Sequence, residues 1–137
     1  MKNLDINKIR KESKNIKIGE LTDEVINLLC LDLKPQNISL WGSRIDEHCE
    51  KHKAEYLSAN NYNQAISKIP LIISEPDYVG VRNDGNLQYV KRLNEASMIG
   101  IKVLKGKKGG LIFRTIFPVT EDKIQAQVRK GLLKEIK

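Results

Sequence analysis

The stretch YVGVRNDGNLQYVKRL, residues 78–93, decides the fold of this chain. Two β-rich segments flank Asp84-Gly85, and an Asp-Gly pair between such segments is a strong hairpin signal. A second pair of segments follows at 98–105 and 111–117, joined by a tip rich in glycine and lysine. The sequence therefore predicts a four-stranded antiparallel meander that ends at Pro118.

Helix signals lie on both sides of this meander. Thr22 precedes two acidic residues and an apolar run, which predicts a helix start because the threonine caps the first turn and the acids oppose its positive dipole. Thr120 predicts the cap of a final helix, Glu121–Lys130, which ends at Gly131. The predicted fold class is thus α+β, with N-terminal helices packed on a four-stranded antiparallel β-meander and a short C-terminal helix.

The composition is typical of a globular protein, with 137 residues, 40% hydrophobic and 30% charged. No apolar run approaches the roughly 18 residues of a membrane span, and residues 1–10 lack the apolar core of a secretory signal. We therefore predict a cytoplasmic protein without a membrane partner. Residues 1–15 are predicted to form a flexible basic arm, and residues 16–137 a single domain.

The net charge of +7 permits two interpretations. A basic domain attracts polyanions such as nucleic acid, and it also meets them faster. Excess lysine can equally serve only to keep a small protein soluble.

A helix predicted from Arg44 to about Leu57 carries the two histidines of the chain, His48 and His52, on one face. Three interpretations compete. A zinc site needs further ligands, and Cys49 stands where the zincin motif has glutamate. A structural histidine without a chemical role is the second interpretation, and acid/base catalysis is the third, because imidazole titrates near neutral pH. We predict neither a metal nor a cofactor.

Cations occupy strand positions among apolar neighbours. Strict alternation places Lys91 on an apolar face of its strand and Arg114 between Ile112 and Ile116, with Thr115 on the opposite face. A cation on a buried face is costly unless it is paired. Either these side chains snorkel to solvent, or they bind phosphate, for which the planar fork of arginine is well shaped.

The hairpin tip at residues 105–110 is basic but does not match the phosphate-binding Walker pattern. It contacts a polyanion backbone in one interpretation and is a solvated charge cluster in the other. Aromatic residues are few, which argues against a stacking platform for single strands. The candidate substrate-binding residues are Tyr89, Arg92, Lys105, Lys107, Lys108 and Thr120.

Several segments in a fixed order carry a resemblance to a known family. They are Ile18–Leu21, Ile38–Leu40, the helix with His48 and His52, Ile72–Tyr78, Tyr89–Lys91 and Phe113–Pro118. Together they are similar to the phage-type Barnase–EndoU–colicin–RelE-like (BECR) nuclease domains, over about residues 16–131. The resemblance implies helices packed on a four-stranded antiparallel sheet and a metal-independent endoribonuclease, often a toxin of phages and mobile elements.

The resemblance also implies site residues. We hypothesise that an RNA 2′-hydroxyl attacks the adjacent phosphodiester and that one of the two histidines is the general acid or base. A lysine and an arginine would stabilise the charge on the phosphate, and a threonine would orient it. Some family members end the last strand in Leu-Tyr-Pro, where this chain has Ile116-Phe117-Pro118, so that phenolic hydroxyl is missing here. The implied partners are RNA, with tRNA as one candidate, and an immunity or antitoxin protein. The matching positions are His48, His52, Lys91, Arg114 and Thr115.

Two other functions remain open on the same fold. A non-catalytic module that binds RNA or a phage protein would use the basic surface without needing the histidines, and its RNA binding would be salt-sensitive with no change in RNA length. A protein-interaction domain of a phage morphogenesis or antitoxin system would make the positive charge incidental.

Overall fold

The structure is a computed structural model that describes residues 15–41, 49–105 and 109–136. His48, Lys107, Lys108 and nearly all of the predicted N-terminal arm lie outside these residues. The strands are β1 (Asn15–Leu21), β2 (Gln36–Trp41), β3 (Tyr78–Val81), β4 (Leu87–Lys91), β5 (Ser97–Val103), β6 (Leu111–Pro118) and β7 (Lys134–Glu135). The helices are α1 (Asp23–Leu29), a 3₁₀ helix (Glu50–Glu55), α2 (Ala59–Ser67), α3 (Ile69–Ser74) and α4 (Glu121–Arg129). The α+β class is confirmed.

The sheet is wider than the sequence predicts. Within the described residues it has seven strands in the order β1-β2-β6-β5-β4-β3-β7. The strands β3 to β6 form the predicted meander, each antiparallel to the next. The prediction of only four strands is wrong, because β2 joins β6 in parallel and β1 and β7 extend the two edges. The parallel pairing is non-local, and β7 is only two residues long, so neither has a local sequence signal.

Helix α1 begins as predicted, with the Thr22 hydroxyl accepting a hydrogen bond from the Val25 amide. The sequence also predicts that this helix stops at Lys34-Pro35, because the residue before a proline disfavours helical geometry, but α1 ends earlier, at Leu29. Cys30 adopts a left-handed conformation with φ of 54°, and its amide bonds back to the last turn. That conformation terminates the helix at Leu29.

The two faces of the meander are covered differently. One face, here called the core face, packs with residues of α1, α2 and α3 in the main hydrophobic core. Its central cross-strand row is Tyr89, Ile99 and Ile116. The opposite face, here called the groove face, packs in part against α4. Its neighbouring row is Val90, Met98 and Phe117.

The predicted helix at residues 44–57 is wrong in its described part, which is a 3₁₀ helix followed by extended chain at Tyr56. The ring of His52 packs against Phe117 on the groove face, with ring centroids 5.6 Å apart. Four residues later, the hydroxyl of Tyr56 lies 2.8 Å from that of Ser97 in the core. Residues i and i+4 of an α-helix share a face, so the chain leaves α-helical geometry to reach both faces of the sheet.

We predict that Gly80→Ala lowers the free energy of unfolding by about 1–3 kcal/mol, the usual cost of overpacking. A Cβ at Gly80 would lie 1.8 Å from the carbonyl oxygen of Leu132, so the C-terminal segment would have to move. Urea denaturation measures the loss. Gly100→Ala is the matched control, since its Cβ would meet nothing closer than Thr115 Cγ2 at 3.5 Å. Equal stability of the two variants would contradict this packing.

Candidate functional site

A β-bulge in β6 sets the direction of two polar side chains. Gly100 of β5 pairs with Thr115, and the next residue, Ile101, pairs with Phe113. Arg114 is therefore the extra residue of the bulge. Bulges commonly occur beside active sites, where they re-aim side chains.

The bulge corrects the alternation predicted for β6. Without it, Arg114 and Thr115 would lie on opposite faces of the sheet, and Ile116 would share the face of Arg114. That prediction is wrong, because one extra residue shifts the phase of a two-residue repeat. Arg114 and Thr115 line the same cavity, whereas Ile116 is fully buried on the core face.

This cavity, called the first cavity below, has a volume of about 500 Å³ on the groove face. Its lining includes the cross-strand row Gln88, Gly100 and Thr115. Because Gly100 has no side chain, the middle of this row leaves room for a ligand. His52 and Phe117 also line the cavity. The volume lies within the range of small-molecule and nucleotide sites.

Positive charge dominates the lining of the first cavity. Among the described residues that line it, the one carboxylate is Asp84. The amide of Asn86 donates to Asp84 at 3.0 Å and is the main cause that lowers the pKa of this carboxyl, with Arg82 and Arg114 contributing. A concave surface of one sign concentrates ions of the opposite sign, so the cavity favours an anion. The cations of the lining are Lys51, Arg82, Lys102 and Arg114.

His52 is oriented by a carboxylate. Its Nδ1 contacts Oε2 of Glu55 within the 3₁₀ helix, and its side chain is 22% exposed. In the neutral imidazole, a proton on Nδ1 is donated to the carboxylate, which leaves Nε2 as an acceptor. A histidine held in this way by a third group can act as a general base.

The hydroxyl of Thr115 is buried, and it has no hydrogen-bond partner within residues 15–41, 49–105 and 109–136. A buried unsatisfied polar atom costs about 1–3 kcal/mol. Such atoms are rare in native proteins, and one that lines a cavity is explained by an ion or a ligand that completes it. An anionic oxygen in the first cavity would give this hydroxyl an acceptor.

The structure brings together three of the site residues predicted from the sequence, namely His52, Arg114 and Thr115. It does not bring Lys91 to them. Lys91 lies on the core-face side of β4, where its Nζ donates to the backbone oxygen of Glu75 at 2.7 Å. The pleat that places Lys91 beside apolar neighbours thus also directs it away from the cavity.

Tyr89 lies on the core face with its hydroxyl buried, and burial raises the pKa of that hydroxyl. Lys105 is exposed near the end of the β5–β6 hairpin and lines neither this cavity nor the adjoining one described below. The structure therefore places neither of these two candidate substrate-binding residues in the site.

Arg92 and Thr120 have structural partners instead. Arg92 donates to Glu121 at 2.5 and 3.1 Å and to the Tyr78 hydroxyl at 3.1 Å, which ties β4 to α4. These bonds raise the pKa of Arg92, and that of Glu121 is correspondingly lowered. The hydroxyl of Thr120 accepts from the Lys123 amide at 3.2 Å and caps α4 as predicted.

Among the lining residues that were not predicted from the sequence are three cations and one glutamine. Two of them follow from the hairpin register, because Gln88 pairs with Gly100, and Lys102 lies two residues further on the same strand face. Arg82 belongs to the turn around Asp84, and its backbone amide bonds to the Asn86 carbonyl at 2.8 Å. Lys51 had no signal, since it depends on the path of the 3₁₀ helix.

The described residues contain neither a metal-binding cluster nor a membrane-spanning helix. No group of three His, Cys, Asp or Glu side chains there is arranged to hold a metal ion. No helix in the same ranges is long and apolar enough to cross a membrane.

The chain is similar to one protein family. The family model PBECR3, described as phage-Barnase-EndoU-ColicinE5/D-RelE like nuclease 3, matches residues 16–126. Neither a curated protein nor a solved structure is significantly similar to the chain.

We predict opposite stability effects for two threonine-to-valine substitutions. Thr115→Val removes a buried hydroxyl that has no hydrogen-bond partner among the described residues, so the free energy of unfolding stays unchanged or rises by about 1 kcal/mol. Thr120→Val removes the cap of α4 and lowers the free energy of unfolding by about 1 kcal/mol. Urea denaturation of both variants measures the difference. A Thr115→Val variant that loses as much stability as Thr120→Val would show that the hydroxyl has a partner.

Proposed function

This chain belongs to the PBECR3 family of phage-type BECR-like nucleases, and on that basis we propose that it is a metal-independent endoribonuclease. One observation carries the proposal. A single cation-rich cavity is lined by an imidazole that a carboxylate holds, by an arginine, and by a threonine hydroxyl that has no hydrogen-bond partner among the described residues. That set of groups suits proton transfer next to a phosphodiester.

In the proposed reaction, the 2′-hydroxyl of RNA attacks the adjacent phosphorus atom. The bond from phosphorus to the 5′-oxygen of the next nucleotide breaks, and the products are a 2′,3′-cyclic phosphate and a free 5′-hydroxyl. Nε2 of His52 accepts the proton of the 2′-hydroxyl, and the Glu55 carboxylate stabilises the resulting imidazolium. His48, which lies outside the described residues, is the sequence-based candidate for protonating the leaving oxygen.

The cations of the cavity stabilise the charge that grows on the phosphoryl oxygens. Arg114, directed by the bulge, binds these oxygens with its guanidinium fork, and Arg82 adds a second positive charge. The Thr115 hydroxyl donates to one oxygen and so gains a partner, which no described residue provides. Lys91 is left out of this proposal because it lies on the other side of the sheet.

The proposed chemistry sets the substrate. Because the nucleophile is the 2′-hydroxyl of the substrate, RNA is cleaved and DNA is not, and no metal-bound hydroxide is required. Mixed tRNA remains the first substrate to test. A cytoplasmic toxin controlled by an immunity or antitoxin protein is the biological role that we propose with this activity.

We predict that the wild-type protein cleaves mixed tRNA in EDTA. His52→Ala lowers the rate by about 10²- to 10⁴-fold, because it removes the general base. Arg114→Ala lowers it by about 10²- to 10³-fold, because it removes a preorganised charge. Gel electrophoresis measures cleavage, and mass spectrometry identifies the 2′,3′-cyclic end.

Lys130→Ala is the matched control for loss of charge, since Lys130 is exposed at the end of α4 and lines neither cavity. Its activity stays at the wild-type level. Circular dichroism verifies that each variant is folded. Cleavage unchanged in both site variants contradicts the proposed residues. If the wild type binds tRNA in a salt-sensitive manner but does not cleave it, the proposed ribonuclease activity is contradicted. That result favours the non-catalytic RNA-binding module.

A further inference from the structure

A second cavity adjoins the first on the groove face. Its volume is about 520 Å³, similar to that of the first. The two cavities are neighbours, because they share lining residues. The shared residues are Arg82, Asp84, Gln88, Met98 and Phe117.

The second cavity combines an apolar wall with a cation. Val119 and Leu132 add to the apolar surface of Met98 and Phe117. Lys123 of α4 is exposed at its edge. Apolar and aromatic surface suits a flat base, and an ammonium group suits the phosphate attached to it.

Gln127 gives an independent indication of a polar ligand. Its side-chain oxygen is buried and has no hydrogen-bond partner in the part of the chain that the structure describes, and Gln127 lines the second cavity. Its backbone oxygen, in contrast, accepts from the amides of Leu132 at 2.9 Å and Leu133 at 3.3 Å. The side chain is therefore an acceptor without a donor, and nucleobases carry N–H donors on their edges.

We infer that the second cavity binds the base of a nucleotide next to the scissile phosphate, with Lys123 contacting the following phosphate. The substrate is then single-stranded RNA longer than a dinucleotide, because a base can enter the space beside α4 only when it is unpaired and unstacked. This inference rests on the proposed function for the identity of the ligand. It adds a binding site that the cleavage chemistry does not require.

The test uses RNA that cannot be cleaved, so it does not depend on catalysis. A 2′-O-methyl pentanucleotide and a 2′-O-methyl dinucleotide are bound to wild type, Lys123→Ala and Lys130→Ala, and affinity is measured by fluorescence anisotropy over a range of salt concentrations. For the pentanucleotide, Lys123→Ala reduces the slope of log affinity against log salt by about 0.7, and the affinity by about fivefold at 0.1 M salt. For the dinucleotide, which has only one phosphate, Lys123→Ala changes nothing. Lys130→Ala matches the wild type with both ligands.

Gln127→Met tests the base contact. The substitution removes the buried amide, so the free energy of unfolding stays unchanged. The affinity for the pentanucleotide falls about 2- to 10-fold, which corresponds to the loss of one hydrogen bond. Wild-type affinity in this variant would overturn the base contact.

Three results would overturn the inference as a whole. The first is that Lys123→Ala and Lys130→Ala lose equal affinity for the pentanucleotide. The second is that Lys123→Ala lowers the affinity for the dinucleotide as much as that for the pentanucleotide. The third is that it lowers the affinity for a 12-base-pair duplex RNA by the same factor. The proposed function fails separately. If Lys123→Ala weakens binding of the pentanucleotide as expected but tRNA is not cleaved, the binding site is supported and the proposed ribonuclease activity is contradicted.

Discussion

In β6, Arg114 is the extra residue of a β-bulge, and the strand resumes its pairing beyond it with the two faces exchanged. A regular strand would have to place Thr115 in the core or Ile116 in the solvent. The bulge avoids both, because it directs Arg114 and Thr115 to the groove face while Phe113 and Ile116 stay buried. The hydrophobic core and the candidate site are therefore compatible only through this one inserted residue.

The remaining groups reach the groove from separate parts of the chain. The 3₁₀ helix crosses from the groove face to the core face, and it holds His52 against Phe117 while Tyr56 is anchored in the core. The β3–β4 turn contributes Arg82 beside Asp84. The Thr115 hydroxyl beside them is buried, and no described residue gives it a hydrogen-bond partner. Polar groups left unsatisfied in this way reduce stability in favour of function.

Local signals predicted the local structure well. The Asp84-Gly85 turn defined the first hairpin, and Thr120 defined the start of α4, because turn chemistry and capping act over a few residues. The bulge and the parallel β2–β6 pairing had no such signal, since both depend on the register between distant strands. Lys91 shows the consequence for the site. Alternation placed it beside Tyr89, but only the structure shows that this face is the core face.

Amide chemical shifts test most directly whether RNA binds the groove face beside the bulge. A ¹⁵N-labelled sample is titrated with a non-cleavable 2′-O-methyl pentanucleotide. We expect the amide signals of Gln88, Gly100 and Thr115 to shift in a saturable manner, while those of β1 and α1 do not. Saturable shifts confined to Lys91, Glu75 and the neighbouring core-face residues would contradict that expectation.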